Sequence, residues 1–71
     1  GVRMEDAELM LSRFIDEALL GGLPNVRIVH GKGEGILRKM TQDLLKRHKS
    51  VVSYRDGEAA EGGQGVTIAE F

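Results

Sequence analysis

The chain contains no cysteine and no tryptophan, one proline and only three aromatic residues, Phe14, Tyr54 and Phe71. Without cysteine there is no disulfide staple, no thiolate nucleophile and no Cys-based zinc knuckle. Three aromatics are too few for a base-stacking platform. No apolar run approaches the ~20 residues of a membrane-spanning helix, and no signal-peptide pattern opens the sequence. An excess of one charge sign is also lacking. Ten Lys and Arg stand against eleven Asp and Glu, for a net charge of −1. With 71 residues the chain is sized for one small domain, 1–71. Its core must be thin, because a domain of ~60 residues buries only about 60% of the surface its unfolded chain exposes. The expectation is a small cytoplasmic module with no membrane partner.

What is present is unevenly distributed. Residues 1–20 carry a net charge of −3, and residues 50–71 carry −3 as well. Between them, residues 30–49 hold Lys32, Arg38, Lys39, Lys46, Arg47 and Lys49 against Glu34 and Asp43, a net charge of +4. One basic third in a near-neutral chain can form a site for an anionic partner. Solvated helix charge explains the same residues, so charge alone leaves both readings open.

Hydrophobic spacing predicts two helices and two or three strands. Over Met4–Leu20, Ala7, Met10, Leu11, Phe14, Ile15 and Ala18 share one helical face. Glu5 and Asp6 sit in the first turn, where the helix dipole favours acids. Gly21 and Gly22 stop this helix, and Pro24 prevents its resumption. Leu9 and Leu20 fall off the stripe and are candidate contacts with another chain. Val26–His30 reads as a buried, β-branched strand. A second helix runs from Ile36 to about His48, with Ile36, Leu37, Met40, Leu44 and Leu45 on its apolar face. Val51–Arg55 and Val66–Phe71 read as further strands, separated by a Gly- and Glu-rich loop. A strand, a crossover helix and a strand suggest a parallel unit, with the last strand as a hairpin partner.

The chemistry concentrates at His30-Gly31-Lys32-Gly33-Glu34-Gly35. A glycine-rich turn between a strand and a helix lets an anion approach backbone N–H groups, and the helix dipole favours negative charge there. Lys32 adds a mobile cation, and Arg38 reaches from the first turn of the helix. The same glycines serve a tight turn, and the residues alone do not separate the two readings. A Walker A loop is absent. A dinucleotide fingerprint fails because Ile36 stands where the third glycine belongs. His30 is either a packed histidine at a strand end or a general acid or base. His48 reads as a residue at the C-terminal end of the second helix. The two histidines and scattered carboxylates form no recognisable metal-ligand set.

His30-Gly31-Lys32-Gly33, followed by Gly35-Ile36-Leu37-Arg38, resembles the signature of the Smr (small MutS-related) domain. The resemblance extends through Glu5-Asp6-Ala7, Phe14-Ile15-Asp16-Glu17-Ala18, Gly22-Leu23-Pro24 and Gly62-Gly63-Gln64-Gly65-Val66-Thr67, and so covers essentially the whole chain. It is nearest to the Smr domains at the C-terminus of a bacterial MutS paralogue linked to suppression of recombination.

The resemblance implies an α+β two-layer fold, a mixed sheet with two helices similar to the C-terminal half of translation initiation factor three. It implies a nucleic-acid module, associated with nicking endonuclease activity on DNA, branched DNA included, in recombination and repair. Some members act on RNA, which gives the alternative of a non-catalytic RNA-, rRNA- or ribosome-binding module. The expected parent is a longer protein, able to form a homodimer, whose ATPase region is not in this sequence. No ATP site is therefore expected here. Cleavage is open to help from a divalent metal, with no ligand set identifiable. The family's opening strand, ending Leu-Asp-x-Arg/His-Gly, is expected to be missing, with Gly1 as its last glycine or unrelated to it.

On this reading His30, Lys32 and Arg38 are the candidate catalytic residues. Gly31, Lys32, Gly33, Gly35, Arg38 and Lys39 are the candidate phosphate-binding residues.

Overall fold

The computed structural model describes residues 3–33 and 35–71. Gly1, whose place in the family motif was the open question, and Glu34 lie outside the described residues. Helix α1 spans Met4–Leu20 and strand β1 spans Asn25–Val29. Helix α2 spans Ile36–Arg47, strand β2 spans Ser53–Asp56 and strand β3 spans Val66–Glu70. Two short 3-10 turns, Ala59–Glu61 and Gly63–Gly65, fill the loop before β3. Both helices and all three strands fall where hydrophobic spacing places them, within about two residues at each end.

The sheet order is β1-β3-β2, and both pairings are antiparallel. The expected α+β arrangement of two helices on a sheet is present. The strand–helix–strand unit differs in detail from the sequence reading. β1 and β2 do run in the same direction, but β3 is inserted between them, so the three described strands form an antiparallel rather than a mixed sheet. Pairing between distant segments decides this, and no local pattern encodes it.

The register divides the sheet into two faces. Val26 opposes Ala69, and Ile28 opposes Thr67. These residues look toward the helices, where Leu11, Ile15, Ala18, Leu44 and Leu45 complete the core with Val26, Ile28 and Ala69. Val66 and Ile68 point the other way, yet they are buried too. Val66 is covered by the loop around Gly57 and Gly62. Ile68 stands between its cross-strand partners Arg27 and Arg55, whose aliphatic stems can shield it.

The core is narrower than the predicted stripe. On α1 only Leu11, Ile15 and Ala18 are buried, whereas Met10 is 62% and Phe14 44% exposed. On α2 Ile36 and Leu37 are exposed, and the buried set is Thr41, Leu44 and Leu45. Three strands and one neighbouring helix cannot cover the full width of each apolar face. Leu9 and Leu20 are exposed, as their place off the stripe suggested. Tyr54 is also exposed, on β2 opposite Ala69.

The loop before β3 is held by ionic and backbone constraints. Arg55 Nη1 donates to Glu61 Oε1 at 2.8 Å and Nη2 to Oε2 at 3.2 Å, while the Glu58 amide donates to Glu61 Oε1 at 2.7 Å. The Arg55 hydrogen bond, followed by the Glu58 amide, lowers the Glu61 carboxyl from 4.5 to about 2. A carboxyl that binds protons less readily folded than unfolded adds stability above its ordinary value. That contribution is lost as pH falls through the folded value. Wild type is therefore expected to lose stability between about pH 4.5 and 2 more steeply than Glu61→Gln, in urea melts followed by circular dichroism.

Gly62 supplies the second constraint. Its φ is +115°, and a Cβ there would sit 2.5 Å from Val66 Cγ2. Gly63 also has positive φ, +59°, but a Cβ there meets nothing within 4 Å. Gly62→Ala is expected to cost about 1–3 kcal/mol and Gly63→Ala about 1–2 kcal/mol. Thermal melts in which Gly63→Ala is the more damaging change would contradict this placement of strain.

Candidate functional site

The candidate site is assembled where β1, α2 and the end of β3 meet. β1 ends at Val29, and the chain turns sharply through His30–Gly35 into α2. Gly31, Gly33 and Gly35 have φ values of +80°, +32° and +81°. Gly35, as the N-cap of α2, is left-handed and carries no capping side chain. No acidic residue occupies the first turn of α2, in contrast to Glu5 and Asp6 on α1. The first intrahelical bond at this end is Lys39 N–H to Gly35 O. The amides of Ile36, Leu37 and Arg38 therefore have no intrahelical acceptor at this positive end of the dipole. They open onto a cleft of about 190 Å³ lined by His30, Gly31, Lys32, Gly33, Gly35, Ile36, Leu37 and Arg38.

The turn is anchored from beneath. Gly65 O accepts both the His30 N–H, at 3.1 Å, and the Gly31 N–H, at 2.9 Å. The Gly31 amide is therefore spent on the fold. Of the amides expected to hold an anion, Gly33 and Gly35 remain, joined by those of the first turn of α2.

His30 is half-buried, with a partner for each ring nitrogen. Nδ1 lies 2.9 Å from Gly31 O, and Nε2 lies 2.8 Å from Thr67 Oγ1. A carbonyl oxygen only accepts, so Nδ1 must carry a proton. In the neutral ring the Thr67 hydroxyl then donates to Nε2. In the imidazolium the same hydroxyl turns to accept, so Thr67 serves both charge states. Thr67 itself is fully buried.

Arg38 is equally well held. Its Nε donates to Asp56 Oδ1 at 3.2 Å, and its Nη2 donates to Oδ1 at 2.9 Å and Oδ2 at 2.8 Å. Gln42 Nε2 lies 3.5 Å from the same Oδ1. Asp56 and Thr67 are direct cross-strand neighbours. Adjacent strands thus carry the two anchors, Thr67 for His30 and Asp56 for Arg38. Neither anchor is among the residues singled out from the sequence. Thr67 alternates with buried Val66 and Ile68, which marks a hydroxyl in need of a partner, and Asp56 reads locally as the first residue of a loop.

The other predicted site residues separate. Lys32 is exposed on the rim of the cleft. Lys39 is turned away from it, 4.0 Å from Asp43 on the next turn. Lys46 and Arg47 lie in the last turn of α2, about 15 Å along the axis at 1.5 Å per residue. His48 closes α2, with Nδ1 accepting from the Ser50 amide at 3.2 Å and Nε2 3.8 Å from Asp16 Oδ1. Among the described residues no three His, Asp or Glu side chains gather as a metal site. Both oxygens of Asp56 are bonded to Arg38. No described helix is long and apolar enough to cross a membrane.

The Smr domain family model matches residues 1–71. This chain belongs to the Smr domain family. It is 57% identical, over all of its 71 residues, to Endonuclease MutS2 of Geobacillus sp. (strain WCH70). It is 56% identical to Putative endonuclease MutS2 of Bacillus subtilis (strain 168) over the same length. The Smr domain described here spans 9% of the length of each of those relatives. The crystal structure of the Smr domain of Thermus thermophilus MutS2 matches with a TM-score of 0.92 at 38% identity, covering 99% of this chain and 88% of that one. The stand-alone small MutS-related protein YdaL from Escherichia coli matches with a TM-score of 0.91 at 31% identity, covering 97% of this chain and 57% of that one.

The hydrogen bonds fix a testable tautomer. In the neutral ring of this Smr domain, His30 carries its proton on Nδ1, and long-range ¹H–¹⁵N correlation spectra should show Nε2 as the unprotonated nitrogen. Thr67→Val, which removes the hydroxyl at nearly constant volume, should lower stability by about 1 kcal/mol and leave the proton on Nδ1, because Gly31 O still accepts it. A wild-type ring protonated on Nε2 at high pH would contradict the assignment.

Proposed function

We propose that this Smr domain binds nucleic acid through a backbone phosphate seated on the His30–Gly35 turn, and that it nicks DNA phosphodiester bonds there. The cleft at the uncapped start of α2, flanked by Lys32 and Arg38, carries this reading. The names of the MutS2 relatives as endonucleases support it.

The chain's own residues supply binding, charge stabilisation and a proton. The amides of Gly33, Gly35 and the first turn of α2 face the phosphate oxygens. Lys32 and Arg38 neutralise charge that grows on those oxygens as water attacks phosphorus. The bond from water oxygen to phosphorus forms while the bond to the leaving sugar oxygen breaks. His30 in its imidazolium form releases Gly31 O and gives the Nδ1 proton to that leaving oxygen, while the attacking water keeps one proton on the new phosphate and loses the other to solvent. The Nε2–H bond to Thr67 holds the ring meanwhile. Nε2 faces a buried hydroxyl and Nδ1 faces the exposed side, so the arrangement favours His30 as the acid over the base. Backbone contacts of this kind carry affinity and salt dependence but little sequence information. Recognition is therefore structure-selective, branched DNA included, which suits control of recombination.

One observation favours a second reading. Both His30 nitrogens are already bonded within the chain, which also suits a rigid, non-catalytic clamp for structured RNA or the ribosome.

Relaxation of supercoiled plasmid, with and without divalent metal, separates the two. Wild type is expected to nick, and His30→Ala to fall by about 10²-fold or more with binding changed little. Lys32→Ala is expected to weaken binding and to reduce the slope of log K against log salt by about 0.9. Salt-sensitive binding with no nicking under any condition would leave the RNA-binding module. Binding insensitive to salt would overturn both readings.

A further inference from the structure

The Arg38–Asp56 pair uses the guanidinium in a particular way. A carboxylate seated on Nε and Nη2 takes the side-on edge of the group. Arginine has five N–H donors in a fixed plane. Nη2 also lies 2.9 Å from Oδ1, so the carboxylate takes Nε and Nη2 and leaves the two protons of Nη1. Among the described residues Nη1 makes no hydrogen bond. Nη1 is therefore open to donate a charge-assisted hydrogen bond to a non-bridging oxygen of a phosphodiester.

The pair is also tied into the framework at both ends. Asp56 closes β2 directly opposite Thr67, and Arg38 stands in the first turn of α2, with Gln42 one turn on reaching the same carboxylate oxygen. The two side chains are about one-third exposed, 35% and 36%. The guanidinium is therefore held yet partly exposed, on a residue that lines the cleft.

We propose that Asp56 is a positioning residue. Its carboxylate holds Arg38 by Nε and Nη2, so that Nη1 is presented to a nucleic-acid phosphate. This rests on the reading of the His30–Gly35 cleft as a phosphate site. The proposal predicts a sign opposite to simple charge counting. A carboxylate near an anion site repels the ligand, so removing its charge should tighten binding if charge were all that mattered. Loss of positioning weakens binding instead, because a freed guanidinium must be ordered each time phosphate binds.

The test is the affinity of the 71-residue chain for a short fluorescein-labelled DNA duplex and for an RNA hairpin, by anisotropy. Arg38→Gln, Asp56→Asn and the double variant are compared with wild type, each first checked as folded by its ¹H–¹⁵N spectrum. Asp56→Asn is expected to weaken binding of whichever polymer the chain binds by about tenfold, the worth of one charge-assisted hydrogen bond. In the Arg38→Gln background the same change should have no further weakening effect. Should Asp56→Asn not fold, Asp56→Glu carries the test, because it keeps the charge but displaces the guanidinium by a methylene. Unchanged or tighter binding by Asp56→Asn, with Arg38→Gln impaired, overturns the positioning role and leaves the phosphate site standing. Equal weakening with and without Arg38 overturns it as well, since Asp56 would then act through something else. No loss in Arg38→Gln overturns the phosphate reading and the inference together.

Discussion

Strand β3 comes from the C-terminal end of the chain and inserts between β1 and β2, and its pairing with both fixes where the site's side chains stand. The ladder sets Ile28, Thr67 and Asp56 side by side on the helix-facing side of the sheet. Thr67 then meets His30, which lies just beyond the end of β1. Asp56 meets Arg38 at the start of α2. The Gly65 carbonyl, immediately before β3, receives the two amides that bend the chain into the glycine turn. A shift of β3 by one residue would turn Thr67 to the opposite face and remove the His30 contact.

This dependence explains how much was legible in the sequence. Helices α1 and α2 follow from 3.6-residue spacing and from local stop signals such as Gly21 and Gly22. The glycine turn is legible because alternate glycines at a strand-to-helix junction have few other uses. The residues that hold the turn in place were not legible. Thr67 and Asp56 matter only because β3 is central, and that pairing joins segments far apart in the chain. The same limit applies to Gly31, whose amide looks available until Gly65 is found beneath it. Phe14 and Met10 show a different limit. Their helical phase is right, but a domain this small has too little surface to cover them.

The electrostatics of the domain follow a division of labour. In the loop before β3, Arg55 and Glu61 neutralise each other and brace the backbone that leads into the central strand. At the start of α2 Arg38 is held by Asp56, while Lys32 is exposed on the rim of the cleft. The net charge of −1 therefore conceals a local site of opposite character. The likeness to the Thermus thermophilus and Escherichia coli Smr structures extends over nearly the entire chain, so the backbone that carries these pairs is shared with them.

On the function proposed above, phosphate is received by the turn from Lys32 into the first turn of α2. A ¹H–¹⁵N titration of the chain with a short DNA duplex tests it most directly. The account predicts the largest and earliest shifts at the amides of Lys32, Gly33, Gly35, Ile36 and Leu37, with the Arg38 side chain following, and little change at Gly31, whose amide is already bonded. Shifts centred on Lys46–Lys49, or on the open sheet face around Arg27 and Arg55, with the turn unmoved, would contradict it.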